Sequence, residues 1–134
     1  PARLELIKRR PVVILDGGHN EGCANALSDF IKKHLKNKRI IMVSSMMADK
    51  DYPLMVSMLA PLAEKVFTVT PDNPRALDAA EYAAVLADVG VDATAYASVA
   101  DAVSAGKALA AEKNIPLVCL GSLYMYAEIY DFLK

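Results

Sequence analysis

Residues able to do chemistry gather in short polar segments, each following an apolar run of strand length. The first is Asp16-Gly17-Gly18-His19-Asn20, directly after Val12-Val13-Ile14-Leu15. Its aspartate suits ribose hydroxyls or a share in holding a metal, and Gly17 and Gly18 let the backbone turn sharply and approach a ligand. The plain alternative is an ordinary turn, because Asp-Gly-Gly is common loop chemistry. After Ile40-Ile41-Met42-Val43 come Ser44-Ser45 and, further on, Asp49-Lys50-Asp51. Lys50 is a counter-charge for a carboxylate or phosphate, or a residue of a solvated loop. Thr70 leads into a proline-flanked loop carrying Arg75, which is an anion ligand or a structural residue. Gly121-Ser122 opens the last helical stretch, where the serine either receives a substrate carboxylate together with helix N–H groups or simply caps the helix.

Several chemistries are disfavoured by the same residues. The run Gly17-Gly18-His19-Asn20-Glu21-Gly22 lacks the G-x-G-x-x-G spacing, and no Lys-Ser/Thr pair follows Gly22, which argues against a hydride-transfer enzyme or a self-sufficient phosphate-loop ATPase. No base with an orienting partner accompanies a serine or cysteine, so covalent catalysis is not expected and no catalytic residue is assigned within this chain. Cys23 and Cys119 have no metal-ligand spacing and read as reduced, mostly buried thiols, so no metal site is expected from them. His34 falls in the last turn of a helical stretch and reads as a surface residue favoured by the helix dipole.

The elements that must position these segments alternate along the chain. Expected strands are Leu4–Ile7 at an edge, Val12–Leu15, Ile40–Val43, Lys65–Thr70, a short one at Ala93–Tyr96, and Pro116–Leu120. Expected helices run from Glu21 to Leu35, from Pro53 to Leu62, from a capping Asp78 to a closing Gly90, from a capping Ser98 to Lys113, and finally through Leu123 to Leu133. Apolar strands separated by helices imply an α/β fold with a mostly parallel sheet covered by helices on both faces. In such a sheet the polar segments all leave from one edge, which makes that edge the expected binding face.

Composition sets the remaining bounds. The 134 residues, 54% hydrophobic and 23% charged, fit one well-buried globular domain. A formal net charge of −1 provides no broad basic field, so nucleic acid is not an expected partner. The absence of an apolar run of about 18 residues and of a signal-like opening makes no membrane and a cytoplasmic location the default expectation. The chain opens directly on strand-like Leu4–Ile7, which raises the expectation of a piece of something longer.

Taken in order and spacing, Pro1-Ala2-Arg3-Leu4-Glu5, Asp16-Gly17-Gly18-His19-Asn20, Ala48-Asp49-Lys50-Asp51, Pro74-Arg75-Ala76-Leu77 and Gly121-Ser122-Leu123-Tyr124 resemble the C-terminal domain of the folylpolyglutamate synthase/dihydrofolate synthase family, in the Mur ligase superfamily. The resemblance implies a single Rossmann-like glutamate-ligase domain over residues 1–134, with the family's N-terminal ATPase domain absent from this chain. It further implies an ATP-dependent ligase in which a folate or pteroate carboxylate becomes an acyl phosphate and is attacked by the amino group of glutamate. On that resemblance Arg3 reaches ATP phosphates, Asp16 the ribose, and His19, Lys50 and Ser122 lie towards glutamate. ATP and Mg would be held mainly by the absent domain, which also carries the folate pocket, and this chain alone is expected to have no ligase activity.

Two departures from the family pattern stand out. Gly18-His19-Asn20-Glu21 replaces the usual Ala-His-Asn-Pro, and a glycine usual near Ser45 is missing. Glu21 suits a helix start but opposes an anion there. The alternative reading is a non-enzymatic nucleotide- or metabolite-binding module of the same architecture, followed by a pure interaction domain. A ligase domain needs His19 and Ser122 facing one cavity, whereas an interaction module does not.

Overall fold

The computed structural model describes residues 5–9, 12–16, 29, 39–46, 48, 52–70, 74, 76–115 and 117–120. The strands are β1 (Glu5–Arg9), β2 (Val12–Asp16), β3 (Ile40–Ser44), β4 (Ala63–Thr68), β5 (Ala93–Ala95) and β6 (Leu117–Leu120). The described helices are α1 (Tyr52–Leu59), α2 (Ala79–Asp88) and α3 (Val99–Lys113). The strands form a six-stranded sheet in the order β1-β2-β6-β3-β4-β5. Only the edge pair β1–β2 is antiparallel, and the β2–β6, β6–β3, β3–β4 and β4–β5 pairs are all parallel.

The apolar runs of β3, β4 and β6 are buried on both faces, as a sheet sandwiched by helices requires. Side chains alternate across the sheet plane. Ile40, Met42, Val66 and Val118 thus pack with Val56 and Leu59 of α1 and Tyr82 and Leu86 of α2. Ile41, Val43, Phe67, Leu117 and Cys119 pack on the other face with Val99, Ala102, Val103 and Ala110 of α3. Small residues bring α3 close: Gly106 is buried, and a methyl group there would meet Leu117 Cδ1 at 2.8 Å and Val43 Cγ2 at 3.1 Å.

Local chemistry sets the helix ends. The Asp78 carboxylate accepts from the Ala80 N–H at 3.0 Å, and the Ser98 hydroxyl accepts from the Asp101 N–H at 3.1 Å. Gly90 closes α2 with φ +87°, while its N–H donates to the Ala87 carbonyl and that of Val91 to the Leu86 carbonyl. This is the paired-bond stop that a left-handed residue permits. Asn114, with φ 55°, ends α3 in the same way through the carbonyls of Ala110 and Ala111.

Boundaries differ from the sequence reading most at three elements: β1 runs to Arg9 rather than Ile7, and α1 and β4 also shift. α1 stops at Leu59, and Ala60–Leu62 tighten into a 3-10 turn around Pro61, whose ring and missing N–H do not continue an α-helix. Strand β4 begins at Ala63 rather than Lys65 and ends at Thr68 rather than Thr70, because Thr70 has left the ladder to bind the start of α2. Apart from Asp29, which is helical, the expected Glu21–Leu35 helix lies outside the described residues, as does the expected final helix.

Candidate functional site

The carboxyl ends of the parallel strands are level with one another. Asp16 is opposite Leu120, Leu120 is opposite Ser44, Ser44 is opposite Thr68, and Thr68 is opposite Ala95. Neighbouring strands are about 4.8 Å apart, so Asp16 and Ser44, separated only by β6, have backbones roughly 10 Å from each other. The antiparallel strand β1 adds to this edge, because its first residue, Glu5, pairs with Leu15. The segments that carry the expected site residues therefore all adjoin this edge in sequence. Arg3 precedes Glu5, His19 follows Asp16, Lys50 lies beyond Ser44, and Ser122 follows Leu120. Asp16 itself is the last residue of β2. Arg3, His19, Lys50, Ser122 and Arg75 lie outside the described residues.

The β3–β4 half of the edge has a different occupation. Ser44, Ser45 and Thr68 are the polar residues buried among those described. A buried hydroxyl requires a partner, and α2 supplies several. Ser44 Oγ is 2.8 Å from the Tyr82 hydroxyl, Thr68 Oγ1 donates to the Ala79 carbonyl at 2.8 Å, and the Ala79 N–H donates to Thr70 Oγ1 at 2.8 Å. Backbone bonds complete the junction: Val69 N–H reaches the Ser44 carbonyl at 3.1 Å, and Leu77 N–H the Met46 carbonyl at 2.7 Å. The hydroxyls of Ser44, Thr68 and Thr70 thus bind the first turns of α2. Tyr82 had no signal for this in the sequence, since its partner is 38 residues away.

Burial perturbs two groups near this edge. The Tyr82 phenol is pushed up from 10.0 to about 12 by desolvation, against a smaller opposing effect of the Ser44 hydrogen bond. Desolvation pushes the Cys119 thiol to about 12, making it an inert core group rather than a nucleophile. Cys119 is free and buried as expected, whereas Cys23 lies outside the described residues. Among the described residues no three His, Cys, Asp or Glu converge as metal ligands, and no helix is long and apolar enough to cross a membrane.

Two shallow cavities lie at the opposite, amino-terminal edge of the sheet. One of about 380 Å³ is lined by Arg39, Glu64, Lys113 and Ile115, and one of about 360 Å³ includes Arg39, Glu64, Gly90 and Asp92. Their charges are engaged locally: Lys113 pairs with Glu64 at 2.8 Å, and Lys65 with Asp92 at 2.8 Å. Parallel sheets bind ligands at their carboxyl edge, so the level row from Asp16 to Thr68 is the better candidate than these openings.

Comparison with known proteins bears on that edge. The family model of the Mur ligase, glutamate ligase domain, matches residues 2–123. The chain is 34% identical over 134 residues to folylpolyglutamate synthase of Lacticaseibacillus casei, covering 96% of this chain and 28% of that protein. It is 40% identical over 76 residues to dihydrofolate synthase/folylpolyglutamate synthase of Bacillus subtilis, covering 57% of this chain and 18% of that one. Among solved structures, Escherichia coli FolC in complex with ADP, without folate substrate, is 27% identical with a TM-score of 0.84, over 98% of this chain and 31% of that chain. Mycobacterium tuberculosis folylpolyglutamate synthase complexed with ADP and AMPPCP shares the fold at a TM-score of 0.88 and 22% identity, over 100% of this chain and 32% of that chain. The chain thus spans less than a third of the length of these relatives. A family match over residues 2–123, running from before β1 to beyond β6, means that the chain belongs to the Mur ligase glutamate ligase domain family.

Proposed function

We propose that this chain is the C-terminal, amino-acid-binding part of an ATP-dependent ligase that joins glutamate to a folate or pteroate carboxylate. The level carboxyl ends of β2, β6 and β3 carry the reading, because Asp16, Leu120 and Ser44 stand opposite one another there and His19, Ser122 and Lys50 follow them in sequence. The family match and the 34% identity to a folylpolyglutamate synthase support the chemistry. Asp16 accepts hydrogen bonds from the ribose of ATP, and Arg3 faces its phosphates. His19, Lys50 and Ser122 hold glutamate, with the cationic side chain matched to a carboxylate. Their work is orientation: an amine held close to an activated carbonyl reacts as part of one complex instead of by chance encounter. An N-terminal ATPase domain supplies the phosphate loop, the magnesium site and the folate pocket, and closure against it excludes water from the acyl phosphate. The setting is the cytoplasm, where ATP and reduced folates meet.

The full-length protein tests this reading. ADP release should require a folate or pteroate substrate and glutamate together. Asp16→Ala should raise the KM for ATP about tenfold or more, and Ser122→Ala should do the same for glutamate, as loss of a charged or well-placed hydrogen bond does. Unchanged KM values in both variants would show the site to be elsewhere.

A further inference from the structure

The junction of β3 with α2 is polar and buried. Tyr82 is 1% exposed, and its ring packs among Met42, Val56 and Leu86 while its hydroxyl meets Ser44 Oγ at 2.8 Å. Ser44 is completely buried, is the last residue of β3, and directs its own hydroxyl to the Ser45 carbonyl at 3.4 Å. With Ser44 donating to that carbonyl, Tyr82 is the donor to Ser44, which gives a directed chain from the core to the peptide where the strand ends. One residue further, the Met46 carbonyl receives the Leu77 N–H at 2.7 Å. The β3 exit is therefore gripped from two sides by one structural unit, the start of α2 and its approach.

We propose that Tyr82 is a positioning residue for the amino-acid subsite: through Ser44 it sets the path of the backbone at Ser45 and Met46, from which the chain leads to Lys50. The inference rests on the proposed ligase function for its kinetic consequence, though not for its structural one. Tyr82 touches no reacting atom. It acts because a buried phenol has one hydrogen-bond partner to satisfy and no room to choose another, so the strand exit keeps one register. Without the hydroxyl, Ser44 is released from that constraint and the exit samples alternatives, which weakens whatever depends on the following segment.

Two measurements on the full-length protein test it, with Ser98→Ala as a control that removes a helix cap on the other face of the sheet. In the ligase assay, Tyr82→Phe and Ser44→Ala should each raise the KM for glutamate about fivefold, the worth of one neutral hydrogen bond, with the KM for ATP within about twofold. The double variant should be no worse than either single one, since both remove the same bond. Amide hydrogen exchange is the second measurement. The Leu77 N–H should exchange about fivefold faster in Tyr82→Phe, and Ser98→Ala should leave that amide unchanged. Equal glutamate KM values in variant and parent, or additive effects in the double variant, overturn the proposal in an active ligase. An unaltered Leu77 exchange rate overturns it whatever the protein's activity, whereas a parent protein without glutamate-dependent ADP release fails the functional reading alone.

Discussion

Asp16, Ser44 and Thr68 end strands of the same sheet edge, level with one another across the ladder. Ser44 and Thr68 are bound into α2, and Asp16 is the last residue of β2. A serine or threonine at a strand end looks the same in sequence whether it meets a ligand or a helix, so only the position of α2 separates the two uses. Burial at this scale has a consequence for pH. Both Cys119 and Tyr82 are held protonated in the fold, with values raised to about 12 from 9.0 and 10.0. The unfolded chain therefore loses its protons first, and stability present below pH 9 falls progressively as pH rises towards 12. Each group contributes on the order of 3 kcal/mol to that slope. Urea midpoints should decline from pH 9 upward, and Tyr82→Phe should flatten the part above pH 10. Parallel pH profiles for the variant and its parent would count against a buried neutral Tyr82.

Elements were legible where their signals are local. The caps at Asp78 and Ser98, the stop at Gly90 and the apolar runs of β3 and β6 all stand where the spacing of the residues puts them. Each such signal acts within a few residues, through a side-chain bond, a left-handed backbone or alternation across a strand. The early end of α1 and the shift of β4 depend instead on Pro61 and on a bond from Thr70 to another element. Gly106 makes the same distinction in α3, because helix propensity and sheet packing disagree about it. Alanine there gains about 1 kcal/mol of helix propensity but forces a methyl into the packed layer, which costs roughly 1–3 kcal/mol. Leu117 and Val43 are both fully buried, and the branched valine cannot rotate away, so packing wins. Gly106→Ala should lose about 1 kcal/mol by chemical denaturation. In a Leu117→Ala background the loss should shrink, since the 2.8 Å contact is gone and Val43 at 3.1 Å remains, and a loss of equal size in both backgrounds would refute the packing argument.

For the whole molecule, strand order decides what the edge becomes. β6, last of the described strands in sequence, inserts between β2 and β3, and this brings Asp16, Leu120 and Ser44 level with one another. In the proposed ligase this edge orients reactants, and activation of the carboxylate belongs to a second domain. The chain by itself should accordingly release no ADP with ATP, a folate and glutamate, and should regain turnover only as part of the full-length protein. A sensitive assay finding turnover by the chain alone would refute that division of labour. Alternation of strands and helices, a mostly parallel sheet and the helix ends were determined by the sequence itself, because burial on two faces and capping are written in short-range spacing. The neighbours of β6 and the bond between Ser44 and Tyr82 were decided only in the tertiary structure. Val12–Leu15, Ile40–Val43 and Leu117–Leu120 are nearly interchangeable as apolar runs, and the packing of helices on both faces of the sheet chooses among their pairings.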